Sequence, residues 1–341
     1  MNVRLVSPLP EPAVQLPRFV SGEATQKVLA WPEMIAHLRD AYTVPHTHAA
    51  HPRRVVTRGE GTWMRTLCAA PSTSRYMGAK LFGAGRQKGV HYLIVLFDQE
   101  TGAVAGFVDG NYVTACRTGA TSAMAVDRIA PQGDAVLSVL GSGTEALSHT
   151  RAISHVRKLT EVRVFSTTPE RRKAFATKMQ NELGIPCTAA ASAEAAVKGS
   201  TIVVAAARSH GEKPILFGDW LEPGMLVVSI GSTVQDQREI DVSVVKACDL
   251  IVCDALEEVI EETGDMIAAM SAGVCFGHKM MSLTDALGKE GEKRIRQARL
   301  PMFKSVGAGV QDISIAELAF TKAVEQGLAT DLPISFMRKS L

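Results

Sequence analysis

The feature that most constrains this fold is a glycine-containing turn that directly follows an unbroken apolar run. Residues 135–140 read AVLSVL, as expected for a strand buried on both faces of a parallel sheet. The next residues, 141–146, read GSGTEA and lead into a segment with helical periodicity. A strand, a glycine turn and a helix in this order predict an α/β unit whose helix N-terminus can bind an anion.

Further strand and helix patterns extend this unit along the chain. Four more apolar runs follow, VRVFS, STIVVAAA, MLVVSIG and DLIVCD, separated by helical or loop segments. One helix is predicted from about Thr144 to Leu159 and another from near Pro169, since proline is favoured in a first turn. Five apolar strands that alternate with such segments predict an α/β fold with a doubly wound parallel sheet of the Rossmann type.

The turn itself is predicted to bind the pyrophosphate of a dinucleotide. Gly141 permits the tight reversal, Gly143 lets the backbone approach the phosphates, and Ala146 is small enough for close packing of helix on strand. The alternative is a structural turn that binds no ligand. The predicted cofactor-binding residues of the turn are Gly141, Ser142, Gly143, Thr144, Glu145 and Ala146.

The end of the second strand bears on which dinucleotide binds. In NAD-binding units an acidic side chain at this place accepts a hydrogen bond from the ribose 2′-hydroxyl. Here the strand runs into Ser166, Thr167 and Thr168, with Arg171 and Arg172 one turn later. Hydroxyl and guanidinium groups suit a 2′-phosphate, so NADP(H) is favoured and NAD(H) is the alternative. A helix cap followed by two solvated arginines is the interpretation without a ligand.

The residues before the glycine turn show a different pattern. WPEMIAHLRDAY, Trp31 to Tyr42, has the apolar spacing of an amphipathic helix, which we expect to pack on a sheet. Residues 54–108 read as strands and end in a hairpin, with YLIVLFD and AVAGFVDG on either side of QETG. Beyond the parallel-sheet pattern, QDISIAELAFTKAVEQG predicts a helix that ends at Gly327. This outer part of the chain is predicted to be α+β.

Composition excludes several classes of protein. A formal net charge of +2, with basic residues scattered along the chain, argues against a nucleic-acid partner. The sequence has no apolar run of about eighteen residues and no signal-peptide pattern, and its cysteines form no CxxC pair, so we predict a cytoplasmic protein without a membrane span.

His46, His48 and His51 lie in a loop without an adjacent carboxylate, and no metal site is predicted. The acidic stretch is expected to be a solvated helix face; it comprises Glu257, Glu258, Glu261 and Glu262.

A set of longer motifs is distributed over nearly the whole chain. PRRVV, GAKLFG and YLIVLFDQETGAVAGFVDG are followed by ACRTGATSAMAVDRIA, GSGTEA, VRVFSTTPERR and FKSVGAGVQDIS. In order and spacing, over residues 28–332, these motifs resemble the ornithine cyclodeaminase/mu-crystallin family. The resemblance implies a homodimer in which a Rossmann domain, residues 131–304, is inserted into a second domain. Residues 1–130 and 305–341 would then form this substrate-binding and dimerisation domain.

The resemblance also implies a chemistry. Members of this family transfer a hydride at an amino-acid α-carbon or its imine, by cyclodeamination or by amino-acid dehydrogenation and ketimine reduction. By position, Arg54, Lys80 and Arg117 resemble the residues that hold the substrate α-carboxylate. An arginine fork suits a carboxylate, and a lysine in a partly buried cationic cluster can have its pKa lowered enough to exchange a proton. The alternatives are a solvated loop arginine, an outward strand lysine and a structural arginine at a helix start.

One position departs from the family pattern. After MLVVSIG, cyclodeaminases usually carry an aspartate in a GxD sequence, whereas this chain has Thr233 after Gly231 and Ser232. A threonine neither pairs with an ammonium as an ion nor acts as a general base near neutral pH. The alternative is that the loop places Asp236 where the family has its aspartate. We therefore predict an NAD(P)H-dependent reductase of small imino acids, or a dehydrogenase of the matching amino acids. Ornithine cyclodeaminase and a crystallin-like NADPH-binding protein are the alternatives. The predicted catalytic residues are Lys80, Arg54, Arg117 and Thr233.

Overall fold

The structure is a computed structural model that describes residues 16–45, 47–87, 89–207, 213–337 and 339. The described residues before the glycine turn form six strands and three helices. The elements are β1 (Arg18–Val20), α1 (Gly22–Val28), α2 (Trp31–Ala41), β2 (Val55–Gly59), β3 (Thr62–Ala69), β4 (Tyr76–Ala84), β5 (His91–Asp98), β6 (Val104–Asp109) and α3 (Gly110–Ile129).

The residues from β7 onwards alternate strands with helices before a long C-terminal helix. The elements are β7 (Ala135–Leu140), α4 (Thr144–Ser154), β8 (Leu159–Phe165), α5 (Pro169–Leu183), β9 (Cys187–Ala189), α6 (Ala193–Val197), β10 (Ile202–Ala205), β11 (Leu226–Ser229), α7 (Val242–Ala247), β12 (Leu250–Cys253), α8 (Leu256–Glu262), α9 (Gly264–Ser271), β13 (Met280–Ser282), α10 (Leu283–Leu287), α11 (Lys289–Gln297), β14 (Pro301–Lys304), α12 (Gly309–Glu325) and β15 (Thr330–Asp331).

The strands before the glycine turn form a mixed sheet with β15. Its order within the described residues is β15-β1-β6-β5-β4-β3-β2, with antiparallel ladders from β2 to β6 and a parallel pair of β1 and β6. The predicted hairpin is β5 and β6. Helices α3 and α12 pack on one face, which we call the inner face. Side chains alternate between faces along a strand, so Lys80 on β4 shares the inner face with its partners Leu67 and Ile94.

The second sheet is parallel throughout. Its order is β13-β12-β14-β11-β10-β7-β8-β9 in the part of the chain that is described. From the central β7 the chain winds outwards to β8 and β9, and then crosses back to β10 and β11, which confirms the doubly wound Rossmann-type fold. The pattern of five strands missed β9 and β13, which have only three residues each, and β14, whose four residues PMFK begin with a proline and end with a lysine.

Helix α3 joins the two sheets. It packs against β5 on one side and against α4, β11 and β14 on the other. Its N-terminus is capped by the Asp109 side chain, which accepts a hydrogen bond from the Asn111 amide at 2.9 Å. The sequence pattern placed Arg117 at the start of a helix. The helix begins earlier, at Gly110, so Arg117 lies two turns inside it.

Three other helix predictions differ in detail. Helix α2 packs mainly on α3 and α12, and not on a sheet, because these helices separate it from the strands. Helix α4 ends at Ser154, since the Arg157 guanidinium binds the backbone carbonyl of Val126 and the carboxylate of Asp127 and fixes a turn before β8. Helix α12 ends at Glu325, two residues before the predicted stop. Within the described ranges, no helix has both the length and the apolar character needed to cross a membrane.

Candidate active site

Two adjoining cavities lie where the carboxyl ends of the parallel strands face the inner face of the mixed sheet. The first, of about 760 Å³, is lined by residues that follow β7, β8 and β10, and we call it the switch-point cleft. The second, of about 400 Å³, is lined by five basic side chains and is called the basic cavity. The residues that line both cavities are Tyr92, Thr114, Glu145 and Ala206. The two cavities therefore share part of their walls.

The glycine turn forms one wall of the switch-point cleft. Gly141 has a φ of 128°, and a Cβ there would lie 2.5 Å from the carbonyl oxygen of Ala206, so a larger residue does not fit. A Cβ on Gly143 would meet no protein atom within 4 Å, which leaves space beside the backbone. Helix α4 begins directly after this turn, so its first backbone amides lie at the turn. Ala146, in the first turn of α4, is fully buried. The turn thus fits the pyrophosphate of a dinucleotide, which the amides would hold.

The residues after β8 line the far end of the cleft. They are Ser166, Thr167, Thr168 and Arg171, and Lys213 joins them from beyond β10. The Ser142 hydroxyl donates a hydrogen bond to the Ser166 hydroxyl at 3.0 Å, which connects this end to the glycine turn. The far end is therefore polar and basic, as the sequence predicted.

The two neighbouring arginines of α5 differ in position. Arg171 lines the switch-point cleft, whereas Arg172 is absent from its described lining. The Arg172 guanidinium lies 5.1 Å from the centre of the Phe165 ring and donates a hydrogen bond to the Ser166 carbonyl at 3.1 Å. Only Arg171 is therefore placed to reach a ligand in the cleft.

The wall of the basic cavity contains a buried cluster of two cations and one carboxylate. Lys80 Nζ donates a hydrogen bond to Asp312 Oδ1 at 2.8 Å. Arg117 Nε lies 2.9 Å from the same oxygen, in ion-pair contact but without a hydrogen bond. All three side chains are buried, and both cations line the cavity. Two positive charges that share one negative charge leave a net positive site for an anion.

This environment changes the protonation of the lysine. Burial lowers the pKa of Lys80 from its usual 10.5 to about 8, and the charges of Arg117 and Arg54 act in the same direction. The carboxylate of Asp312 opposes this change. Lys80 can therefore exchange a proton in the neutral to mildly basic range.

A second layer of polar groups holds the cluster in place. Arg117 donates a hydrogen bond to Gln311 Oε1 at 2.7 Å, and Gln311 Nε2 in turn donates to Asp254 at 3.0 Å. The Asp254 carboxylate also accepts the amide of Gly307 at 2.9 Å. Gly307 has a φ of 82°, and a Cβ there would lie 2.5 Å from the Arg117 guanidinium. The glycine of the VGAG motif thus makes room for this guanidinium.

Arg54 lines the same cavity but is bound by other partners. Its side chain is 4% exposed, and its Nε donates to Glu258. It also donates to the carbonyl oxygens of Val306 and Gly307 at 3.0 and 2.8 Å. The interpretation of Arg54 as a solvated loop residue is therefore wrong.

The acidic stretch on α8 is also not simply a solvated face. Glu258 binds Arg54, and Glu257 and Glu261 both accept hydrogen bonds from Arg53. These pairs connect α8 to the loop before β2. The sequence missed them because the two segments lie more than 200 residues apart.

The loop after β11 supplies the opposite wall of the basic cavity. Thr233 and Asp236 both line this cavity, so a carboxylate does lie near the position of the missing aspartate. The buried Glu239 holds the loop, since it accepts hydrogen bonds from the amides of Ala207 and Gly231 at 2.9 and 2.8 Å. Burial raises the pKa of Glu239 to about 8.

The histidine loop is only partly described. His46 lies outside the described residues, and His48 Nε2 donates a hydrogen bond to Glu257 Oε1 at 3.0 Å. This carboxylate was not apparent from the local sequence. Among the described residues, no group of three histidine, cysteine or acidic side chains is placed to hold a metal ion.

Comparison with known proteins places the chain in a family. The family model described as ornithine cyclodeaminase/mu-crystallin matches residues 39–327. The chain belongs to the ornithine cyclodeaminase/mu-crystallin family. A relative in this family, the ketimine reductase mu-crystallin of Macropus fuliginosus, is 31% identical over 229 residues, which cover 67% of this chain and 68% of the relative. The predicted family membership is thus confirmed.

Two Delta(1)-pyrroline-2-carboxylate reductases are also similar to this chain. The Delta(1)-pyrroline-2-carboxylate reductase of Bacillus cereus (strain ZK / E33L) is 29% identical over 71% of this chain and 74% of its own length. The structure of the Thermococcus litoralis Delta(1)-pyrroline-2-carboxylate reductase in complex with NADH and L-proline matches with a TM-score of 0.82. It is 26% identical and covers 92% of this chain and all of the matched chain. The names of these three relatives thus describe reductases of ketimines and of Delta(1)-pyrroline-2-carboxylate.

Proposed function

We propose that the chain is an NAD(P)H-dependent reductase of small imino acids that also oxidises the matching amino acids. The observation that carries this proposal is the cluster of Lys80, Arg117 and Asp312 beside the switch-point cleft. Its net positive charge suits an α-carboxylate, and the adjoining cavities would let the α-carbon meet a cofactor bound at the glycine turn. The names of the relatives support the same reaction class.

The chain contributes binding, orientation and proton exchange. Arg117 offers a guanidinium fork to the substrate carboxylate, and the buried Lys80 adds a second positive charge. With a pKa of about 8, Lys80 can also hold a proton close to the substrate nitrogen. The bound dinucleotide supplies or accepts the hydride at the α-carbon. Thr233 lines the opposite wall, where its hydroxyl can orient the bound groups.

The function is tested by following cofactor absorbance with an imine panel. The panel contains Delta(1)-pyrroline-2-carboxylate and keto acids mixed with ammonia or methylamine, each with NADPH and with NADH. We expect cofactor oxidation that depends on the imine. Binding of NADPH without oxidation by any member of the panel would instead favour a crystallin-like binding protein.

Ornithine cyclodeaminase is a second candidate because Asp236 lines the basic cavity. Its carboxylate could hold the side-chain ammonium of ornithine in place of the aspartate that Thr233 replaces. Cyclodeamination consumes no net cofactor, so formation of proline and ammonia from ornithine with catalytic NAD(P) would support this candidate. If Asp236→Asn abolished proline formation but Asp219→Asn, at an exposed site outside the cavity, did not, the assignment to Asp236 would hold.

We propose that NADP(H) is preferred over NAD(H), on the strength of the hydroxyl and guanidinium groups at the far end of the cleft. Arg171→Ala is expected to weaken NADPH binding by about 10- to 100-fold, because a charge-assisted hydrogen bond to a phosphate contributes about 1.5–3 kcal/mol. NADH binding should change little. Dissociation constants from nucleotide fluorescence provide the measurement, with Arg172→Ala as the matched control outside the cleft. Equal losses for both cofactors would remove the assignment.

The low pKa of Lys80 predicts a pH dependence. Below about pH 8 the buried lysine is an ammonium that can bind a carboxylate, and above it the charge is lost. We expect kcat/KM for imine reduction to fall about tenfold per pH unit above this pKa. Lys80→Arg stays charged at these pH values, so its residual activity should not show this decrease. The same decrease in both proteins would assign it to the substrate or to another group.

We propose a homodimer that forms through the outer face of the mixed sheet, opposite α3 and α12. This face exposes large apolar side chains, since Val55, Met64 and Leu93 are 63%, 45% and 39% exposed. An apolar sheet face of this kind favours association. Sedimentation equilibrium should give a dimer for the wild type and a monomer for Leu93→Glu. A monomeric wild type would refute the proposal.

We also propose two domains with the boundaries expected from the family, 131–304 and the remainder. Strand membership supports this division, since the parallel sheet runs from β7 to β14 and the mixed sheet holds the earlier strands and β15. Limited proteolysis with NADPH bound should yield a protected fragment close to 131–304. Cleavage that begins inside the parallel sheet would contradict the boundaries.

A further inference from the structure

We propose that Arg65 and Arg58 form a second anion-binding site in the basic cavity, and that the preferred substrates are imino acids whose side chain ends in a carboxylate. The proposal rests on the proposed imine reduction and defines its substrate class. It concerns the part of the cavity beyond the α-carboxylate cluster of Lys80, Arg117 and Asp312.

The strand register places these arginines in one row with Lys80. Lys80 on β4 pairs with Leu67 on β3, and Arg65 lies two residues before Leu67. Arg65 in turn pairs with Val56 on β2, two residues before Arg58. Since residues two apart share a face, the three cations form a diagonal row across three strands, all on the inner face. All three line the basic cavity.

The spacing of this row suits a substrate with two carboxylates. Diagonal neighbours on adjacent antiparallel strands are about 7–8 Å apart. A side chain of two or three carbons can therefore bring its terminal carboxylate to Arg65 while Lys80 holds the α-carboxylate. The Arg65 guanidinium lies 5.4 Å from the centre of the Trp63 ring, which keeps it along the cavity wall.

The distribution of charge also favours an acidic side chain. Lys80 and Arg117 share Asp312, which leaves one net positive charge for the α-carboxylate to neutralise. Arg54 is paired with Glu258. Arg58 is exposed, lines the cavity and makes no ion pair with any residue that the structure describes. The acidic side chains of the lining, Glu145 and Asp236, come from α4 and from the loop after β11, on the opposite wall. A neutral or cationic side chain would gain nothing from the arginine row.

The test compares matched keto acids that differ in the terminal carboxylate. Imines of α-ketoglutarate and α-ketovalerate, formed with ammonia, are reduced with NADPH, and the ratio of their kcat/KM values is the readout. We expect the wild type to favour the dicarboxylic substrate by about tenfold or more, because its terminal carboxylate can form a charge-assisted hydrogen bond with Arg65. A ratio near one in the wild type would overturn the proposal.

Variants assign the preference to the arginine row. Arg65→Gln should lower the ratio by about tenfold or more, Arg65→Lys should restore part of it, and Arg65→Glu should invert it. Arg58→Gln, at an exposed position that tolerates substitution, should lower the ratio by about threefold. The control is Arg86→Gln, an exposed arginine outside the cavity lining, which should keep the wild-type ratio. An unchanged ratio in both Arg65→Gln and Arg58→Gln would refute the site.

Binding measurements separate this proposal from the proposed function. If no imine is reduced, the reductase assignment fails, but calorimetry can still compare α-ketoglutarate with α-ketovalerate on the NADPH-saturated protein. Tighter binding of α-ketoglutarate that is lost in Arg65→Gln would retain the second anion site. Equal affinities of the two acids for the wild type would remove it.

Discussion

Replacing Lys80 by alanine is expected to lower kcat/KM for imine reduction by about 10²- to 10⁴-fold, the range in which a positioned proton donor contributes. The ammonium is buried against Asp312 and faces the basic cavity, so no water molecule can replace both its charge and its proton. Steady-state kinetics with a saturating cofactor provide the measurement. Nucleotide affinity should stay near the wild-type value, because Lys80 does not line the switch-point cleft.

The matched variant Lys80→Arg separates charge from proton exchange. It keeps a positive charge in the cluster but cannot release a proton near neutral pH. We therefore expect it to recover substrate binding, seen as a lower KM than that of Lys80→Ala, without recovering kcat. Wild-type turnover in either variant would show that Lys80 has no catalytic role.

Replacing Asp312 by asparagine is expected to destabilise the protein by about 3–5 kcal/mol, because it leaves two buried cations without their shared counter-charge. Asparagine has nearly the same shape, so the loss reports on charge and not on packing. Urea unfolding measures the free energy of unfolding. The pH dependence of any remaining activity should also move to lower pH, because the carboxylate raises the pKa of Lys80 in the wild type.

A double variant tests the cause of this loss. Lys80→Met in the Asp312→Asn background removes one of the two uncompensated cations, so it should recover part of the stability. We expect a coupling energy of about 0.5–3 kcal/mol between the two positions. Strictly additive losses would mean that Asp312 does not stabilise Lys80.

The sequence predicted those parts of the molecule that depend on neighbouring residues. The glycine turn, the Rossmann-type sheet and the hairpin of β5 and β6 all follow from local periodicity and turn chemistry. The lining of the cleft by Ser166, Thr167, Thr168 and Arg171 also agrees with expectation, because these residues follow a strand whose place in the sheet was already predicted. Their roles in binding stay predictions.

The charge balance of the cavity could not be predicted in the same way. Asp312 lies 232 residues from Lys80, and Glu258 lies 204 residues from Arg54, so no spacing in the sequence connects them. A signal for Asp312 was present, since an acid next to Gln311 begins an otherwise apolar helix face. Such a residue must be paired if it is buried, which marks it as a candidate partner for a buried cation.

The position of β14 has a consequence for how the protein folds. This strand is the last of the parallel sheet in the sequence, yet it lies between β11 and β12, and it leads directly to Gly307 and α12. Contacts of such long sequence separation form late, because closing a long loop costs conformational entropy before the contact is gained. A nascent chain can thus complete its nucleotide-binding strands while the lysine on β4 still lies in water. The buried contact between this lysine and Asp312 forms only when the C-terminal helix arrives.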